Sequence, residues 1–199
     1  MKKSLEELLA VVYRFYPRGL SPGDPGYKET KEYLRLVEAR IKAGHEDLGG
    51  NSPWRTLLAR LSARFPEHEL QDGSFHLPTG EMDAGHTCLF WLSPRGPWEK
   101  NHVLGFWISF LVPCYVIYSS AHVVSPSPEP RDGSQDIRFT FSPDEEPYAR
   151  ALIEEIAVVF PGYELMPPEL GNQIVPDVVA GNQLMGKTTI YHCLFSDCW

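Results

Sequence analysis

The chain has 199 residues, 43% of them hydrophobic, 22% charged and 12% aromatic, with a net charge of −8. That balance fits one packed domain and excludes a disordered or fibrous chain. The charge is uneven: residues 1–128 hold 14 acidic and 14 basic residues, whereas residues 129–199 hold 12 and 4 and carry the whole excess, which disfavours nucleic acid and suits a basic protein partner.

The first segment, MKKSLEELLA, follows its two lysines with glutamates and lacks the apolar core of an export signal. A cytoplasmic setting is therefore expected, with Cys88, Cys114, Cys193 and Cys198 reduced. Ser4 and Glu7 form a capping-box pattern, and Leu5, Leu8, Leu9 and Val12 make one apolar stripe up to Pro17. After the loop PRGLSPGDPG, Thr30 opens a second helix with Tyr33, Leu34, Val37 and Ile41 on its apolar face, ending at Gly44. Ser52 followed by Pro53 signals a third, with Trp54, Leu57, Leu58, Leu61 and Phe65 on one side and Pro66 as its stop.

From residue 67 the texture changes to β-branched and aromatic runs. HTCLFWL (86–92), VLGFWISFLV (103–112), CYVIYSS (114–120) and DIRFTFS (136–142) read as strands. In the second run both alternating sets are largely apolar, so it is a central strand covered on both faces. Pro113 cannot donate to a ladder and marks a turn or bulge. The apolar stretch 103–118 is short for a membrane span and contains that proline. SPSPEPRDGSQ (125–135) is a polar loop. Ser142, Pro143 and Glu145 repeat the capping signal, with Asp144, Glu145 and Glu146 in a favourable first turn. A helix follows on Ala149, Leu152, Ile153, Ile156 and Phe160. FPGYELMPPELGNQIVPDV (160–178) is irregular, and TTIYHCLF (188–195) reads as a final strand that ends the chain beside the sheet, with Trp199 filling the core.

The expected fold is α+β. A single domain, 1–199, places a helical part (1–66) before a sheet-containing part (67–199). The sheet is antiparallel, with one packed helix and a C-terminal strand.

Gly181, Gly186, Lys187 and Thr188 stand at the spacing of a nucleotide-binding phosphate loop. Such a loop needs a helix opening at its Lys-Thr and a later magnesium-holding acid. Here β-branched residues follow and little chain remains, so no nucleotide cofactor is expected. His86 and Cys88 share a strand face, whereas His192 and Cys193 would point apart, so no metal site is expected. Pairing Cys193 with His86 as a nucleophile and base has no local support. The doubled Asp-Gly-Ser reads as turns at Asp72 and Asp132, and Glu154 with Glu155 as a solvated pair.

What remains is an interaction surface. The residues placed in it are Asp144, Glu145, Glu146, Tyr163, Glu164, Glu169 and Asp177, acidic groups with an aromatic on or beside an irregular segment. Three further stretches, YRFYPRG (13–19), FPGYELMPPELGNQIVPDV and TTIYHCLFSDCW (188–199), resemble bacterial immunity proteins of polymorphic toxin systems, in particular the immunity protein 52 family. The resemblance implies a non-enzymatic protein that neutralises a cognate toxin. The alternatives are a small enzyme working through the Gly181–Thr188 loop or Cys193, or an oligomeric subunit joined through the charge-poor 101–128 region.

Overall fold

The computed structural model describes residues 3–50, 52–74, 83–92, 100–123 and 137–196. The loop 125–135 with its turn at Asp132, together with Asp197, Cys198 and Trp199, lies outside the described residues.

Three helices open the fold: α1 (Leu5–Phe15), α2 (Lys31–Leu48) and α3 (Pro53–Arg64). The capping box at α1 is reciprocal, with Glu7 N–H donating to Ser4 Oγ at 3.2 Å and Ser4 N–H to Glu7 Oε2 at 2.7 Å. Thr30 and Ser52 cap the other two through their hydroxyls. α2 differs from expectation. It continues past Gly44 to Leu48, and its buried face is Leu36, Ala43, Gly44 and Asp47, while Leu34 and Ile41 are exposed. A helix-interior glycine costs only about 1 kcal/mol, and here Gly44 is buried within the helix.

Among the described residues the sheet has five strands in the order β1 (Glu69–Asp72), β2 (Gly85–Trp91), β3 (Lys100–Ser109), β4 (Cys114–Val123) and β5 (Glu164–Leu165). β1 to β4 form an antiparallel meander, and the chain turns across Pro113 between β3 and β4. β5 lies parallel to β4, with Cys114 beside Glu164. The sheet is therefore mixed, not purely antiparallel. A parallel neighbour needs a crossover, and α4 (Glu146–Val159) supplies it.

The α+β expectation holds, with helices on both faces. Period-two alternation sorts the side chains. Cys88, Phe90, Leu104, Phe106, Ile108, Tyr115 and Ile117 join Trp54, Leu57 and Leu61 of α3 and Leu152 and Ile156 of α4. Trp107, Cys114, Val116 and Tyr118 join Leu8 and Val12 of α1, Leu36 of α2 and the C-terminal segment. β3 is central and covered on both sides, as its sequence implies.

Two expected strands are absent. Of the segment expected over 136–142, the described residues 137–142 make a single bridge, Arg138 to Ser119. Ile137 and Phe139 pack on the α1 side and Phe141 on the α3/α4 side, so the chain wraps over the free edge of β4. A strand with one wet face cannot do that. The C-terminal strand is also wrong: Ile190–Leu194 form a short helix, α6, after the one-turn α5 (Pro168–Gly171). A short, uniformly apolar run does not distinguish buried strand from buried helix. Here Thr189 closes a capping box with His192, and Ile190, Tyr191, Cys193 and Leu194 are all buried.

Candidate functional site

The three stretches that carry the family resemblance meet in space. Tyr13 Oη donates to Asp177 Oδ1 at 3.1 Å, Arg18 Nε donates to Asp177 Oδ2 at 2.5 Å, and Gly19 N–H donates to the Asp177 carbonyl at 2.7 Å. Tyr16 Oη donates to the Cys193 carbonyl at 2.8 Å. These contacts fasten the loop after α1 to the C-terminal segment. Burial pushes the Asp177 pKa upward, but the hydrogen bonds and charge of Arg18 and Tyr13 outweigh it and hold the carboxyl below its ordinary range. Asp177 is thus a fastening residue, already engaged within the chain.

The phosphate-loop pattern is also taken up internally. Gly181 and Gly186 adopt positive φ, 53° and 77°, and Leu184 and Met185 between them are exposed. A helix does follow Lys187, contrary to the strand expected, but it has five residues and its first amides are engaged. Thr189 N–H donates to His192 Nδ1 at 2.9 Å, Ile190 N–H to the Gln173 carbonyl at 3.0 Å and His192 N–H to Thr189 Oγ1 at 3.4 Å. Thr188, which would hold magnesium, is fully buried, and its hydroxyl accepts from Ala180 N–H at 3.4 Å. Cys193 is enclosed in the core on the α1 side, and burial pushes its thiol pKa up. His86 stacks on Trp54, which belongs to the opposite face of the sheet. The two cannot form a nucleophile–base pair. Cys88 and Cys114 are likewise buried free thiols.

The polar chemistry sits instead at the two ends of α4. In the turn before its N-terminal end Ser142 N–H donates to Glu145 Oε2 at 2.7 Å and Glu145 N–H to Ser142 Oγ at 3.3 Å; the helix itself starts later than expected, at Glu146, with Glu145 as an N-cap that makes no side-chain cap bond. Glu145 is 2% exposed. Its Oε1 accepts from Ser119 Oγ of β4 at 2.5 Å, with Arg138 Nη2 at 3.5 Å and His102 Nδ1 of β3 at 3.6 Å. Burial works to raise its pKa, but Ser119, Ser142 and Arg138 together hold it below the usual carboxylate range. The carboxylate forms one wall of a groove of about 510 Å³, with Leu92, His102, Asp144, Pro147 and Tyr148 around it. Asp144 and Glu146 are exposed, and Glu146 reaches Arg150 at 3.6 Å.

Beside α4, Glu155 is buried between Arg60 Nε at 2.7 Å and Arg64 Nη1 at 3.0 Å, and Arg64 also holds Glu154. Glu155 is therefore a clamp between α3 and α4 and not a solvated group. At the C-terminal end of α4 lies a cavity of about 280 Å³. There Asp47 Oδ2 of α2 faces His86 Nδ1 at 3.3 Å. The His86 ring is stacked on Trp54 at 5.0 Å and edge-on to Phe110.

The seven predicted contact residues do not form one patch. Asp144 lines the first groove, Glu145 is sunk into its wall, and Glu146 is exposed at the start of α4, outside the lining. Tyr163 lines the second cavity, beyond a helix of 14 residues, about 21 Å long at 1.5 Å per residue. Glu164 lies on β5, Glu169 is exposed on α5, and Asp177 is fastened to α1. Sequence reasoning missed Ser119, Arg138 and His102 because their convergence on Glu145 joins three separate segments. Asp47 was missed as well, because the helix was expected to end at Gly44 and to bury a different face, whereas it runs to Leu48 and buries Leu36, Ala43, Gly44 and Asp47.

Among the described residues no group of three or more histidines, cysteines or acids is placed to hold a metal ion, and no helix is long and apolar enough to cross a membrane. Compared with protein-family models, with curated proteins and with solved structures, the chain matches none.

Proposed function

We propose that this is a non-enzymatic binding protein of the bacterial cytoplasm that neutralises a basic protein toxin, and that the groove at the head of α4 receives a cationic segment of that toxin. The observation that carries this reading is a groove lined by Asp144 and walled by Glu145 in the acidic half of the chain, with Glu146 exposed at the next position of the chain. Glu145 is already satisfied by Ser119, Ser142 and Arg138, so its role is to set the shape of the groove. Asp144 and Glu146 supply the outward charge, which acts chiefly on association rate and specificity. Tyr148 offers the aromatic surface on which affinity is built.

The test is co-expression with the product of the neighbouring reading frame. Rescue of growth by the wild-type chain is expected. Asp144→Lys with Glu146→Lys should slow association about tenfold at low salt, with the difference shrinking as salt rises. Absence of rescue removes the toxin reading. Unchanged association by the double variant at low salt removes the groove.

A further inference from the structure

The apolar stripe in the sequence of α2 faces solvent. Leu34, Ile41 and Leu48 are 55%, 40% and 74% exposed, whereas the buried side of the helix is Leu36, Ala43, Gly44 and Asp47. The three exposed residues recur at a spacing of seven. Positions seven apart on an α-helix differ by only about 20° around the axis. They therefore form one line, about 21 Å long at 1.5 Å per residue. An apolar repeat of this period is the seam along which helices pair. We infer that α2 is a self-association surface: it packs antiparallel against α2 of a second copy of this chain, about a two-fold axis at Ile41.

Charge selects that occupant. Glu38 and His45 lie beside the stripe, and Arg35, Lys42 and Glu46 follow on the same flank, all exposed. A flank of both signs suits neither an anionic lipid surface, which calls for basic residues, nor a basic protein, which calls for acidic ones. It does suit its own reverse, the condition for a contact in which the same patch serves both subunits. With the axis at Ile41, Leu34 faces Leu48 of the second copy, since both stand seven residues from the axis. Arg35, six residues before the axis, meets Glu46, five after it. Glu38, three before, meets Lys42 and His45, one and four after. A parallel pair would set each of these charges against its own kind. Within the chain Lys42 and Glu46 are 3.9 Å apart, and among the described residues Arg35 and Glu38 have no ion pair of their own. This inference does not depend on the toxin reading, because no residue lining the groove at the head of α4 belongs to α2.

Sedimentation of the full chain over a concentration series tests this. One helix pair is smaller than a standard interface, so a monomer–dimer equilibrium with a dissociation constant of about 10–100 μM is expected. Ile41→Glu, which sets two carboxylates at the axis, should weaken it about tenfold or more. Its melting temperature, read at a concentration where the wild type is monomeric, should stay unchanged. Glu38→Lys and Lys42→Glu should each dimerise more weakly alone, and a mixture of the two should restore pairing. Under a mild oxidant, Leu34→Cys mixed with Leu48→Cys should give a disulfide between those two positions, and Leu34→Cys alone should not link to its own copy. A chain that stays monomeric to about 1 mM overturns the inference, even if α2 then binds lipid vesicles or another protein. So does a dimer that Ile41→Glu leaves intact, because its contact lies elsewhere. Cross-linking of Leu34→Cys alone overturns the antiparallel register.

Discussion

The two faces of the sheet are built by different means. On the side covered by α1, α2 and α6, both ends of the described chain close over Trp107, Val116 and Tyr118 in a sealed apolar layer. Buried hydroxyls there engage backbone at two places, Tyr16 with Cys193 and Thr188 with Ala180. On the side covered by α3 and α4 lie all three buried acids of the described residues, Asp47, Glu145 and Glu155, each facing a histidine or arginine. Both hollows flank α4 on that side. The sealed face secures the fold, and the charged face accepts burial costs that packing alone would not require. That asymmetry locates the chemistry on the α4 side.

The comparison can be broken most severely at the sealed face. Tyr191 is 2% exposed, stacks on Phe139 and lies against Gly171. Tyr191→Ala should cost about 3–5 kcal/mol of unfolding free energy, as large-to-small core changes do, measured from the denaturant midpoint. A cost near zero would show that this face is not the anchor.

On the charged face, Glu145→Gln should cost about 1–3 kcal/mol at neutral pH, since it removes a charge that buried hydrogen bonds stabilise. Its folded pKa lies below the unfolded one. As pH falls, the unfolded chain takes up the proton first, so the stability contributed by Glu145 is present above the unfolded value of about 4.3 and is lost through the folded pKa. Unfolding curves across that window should therefore slope less for the variant than for the wild type. Equal slopes would mean that Glu145 does not contribute through its charge.

A smaller effect is expected at the α3–α4 clamp. Glu155 is buried, but Arg60 and Arg64 are more than a third exposed, so solvent screens the pair and Glu155→Gln should cost about 1 kcal/mol. A double-mutant cycle with Arg64→Ala would read the coupling directly. The smallest effect is at the loop: Lys187 is exposed, and Lys187→Ala should change stability by less than about 0.5 kcal/mol. ATP should produce no shift in the melting temperature of the wild type. A shift that Lys187→Ala removes would return the phosphate loop to consideration.

Much of the fold was legible because its signals are local. Ser4 with Glu7, Thr30, and Ser52 with Pro53 cap as their spacing implies, Ser142 and Glu145 exchange their bonds in the turn before α4 and not as its cap, and the doubly apolar alternation of β3 marks a central strand. Elements whose state depends on distant partners were not legible. The apolar face of α2 was misassigned because Leu34 and Ile41 continue the pattern, while the core shared with α1 takes Leu36, and Ala43 turns to the cavity beside Trp54. The sequence of 136–142 alternates like a strand, yet residues 137–142 cross a sheet edge that no window of sequence contains.

The site divides along the same line. Composition determined that the C-terminal part is acidic, and capping chemistry determined that Glu145 would turn back on Ser142. Tertiary structure alone decided that Glu145, Glu155 and Asp177 are drawn into ion pairs and hydrogen bonds while Asp144, Glu146 and Glu169 remain exposed. It alone set Asp47 against His86 beneath Trp54. The physical reason is range: caps, turns and periodicity act within a few residues, whereas the environment of a charge is set by whatever segments the core brings to it.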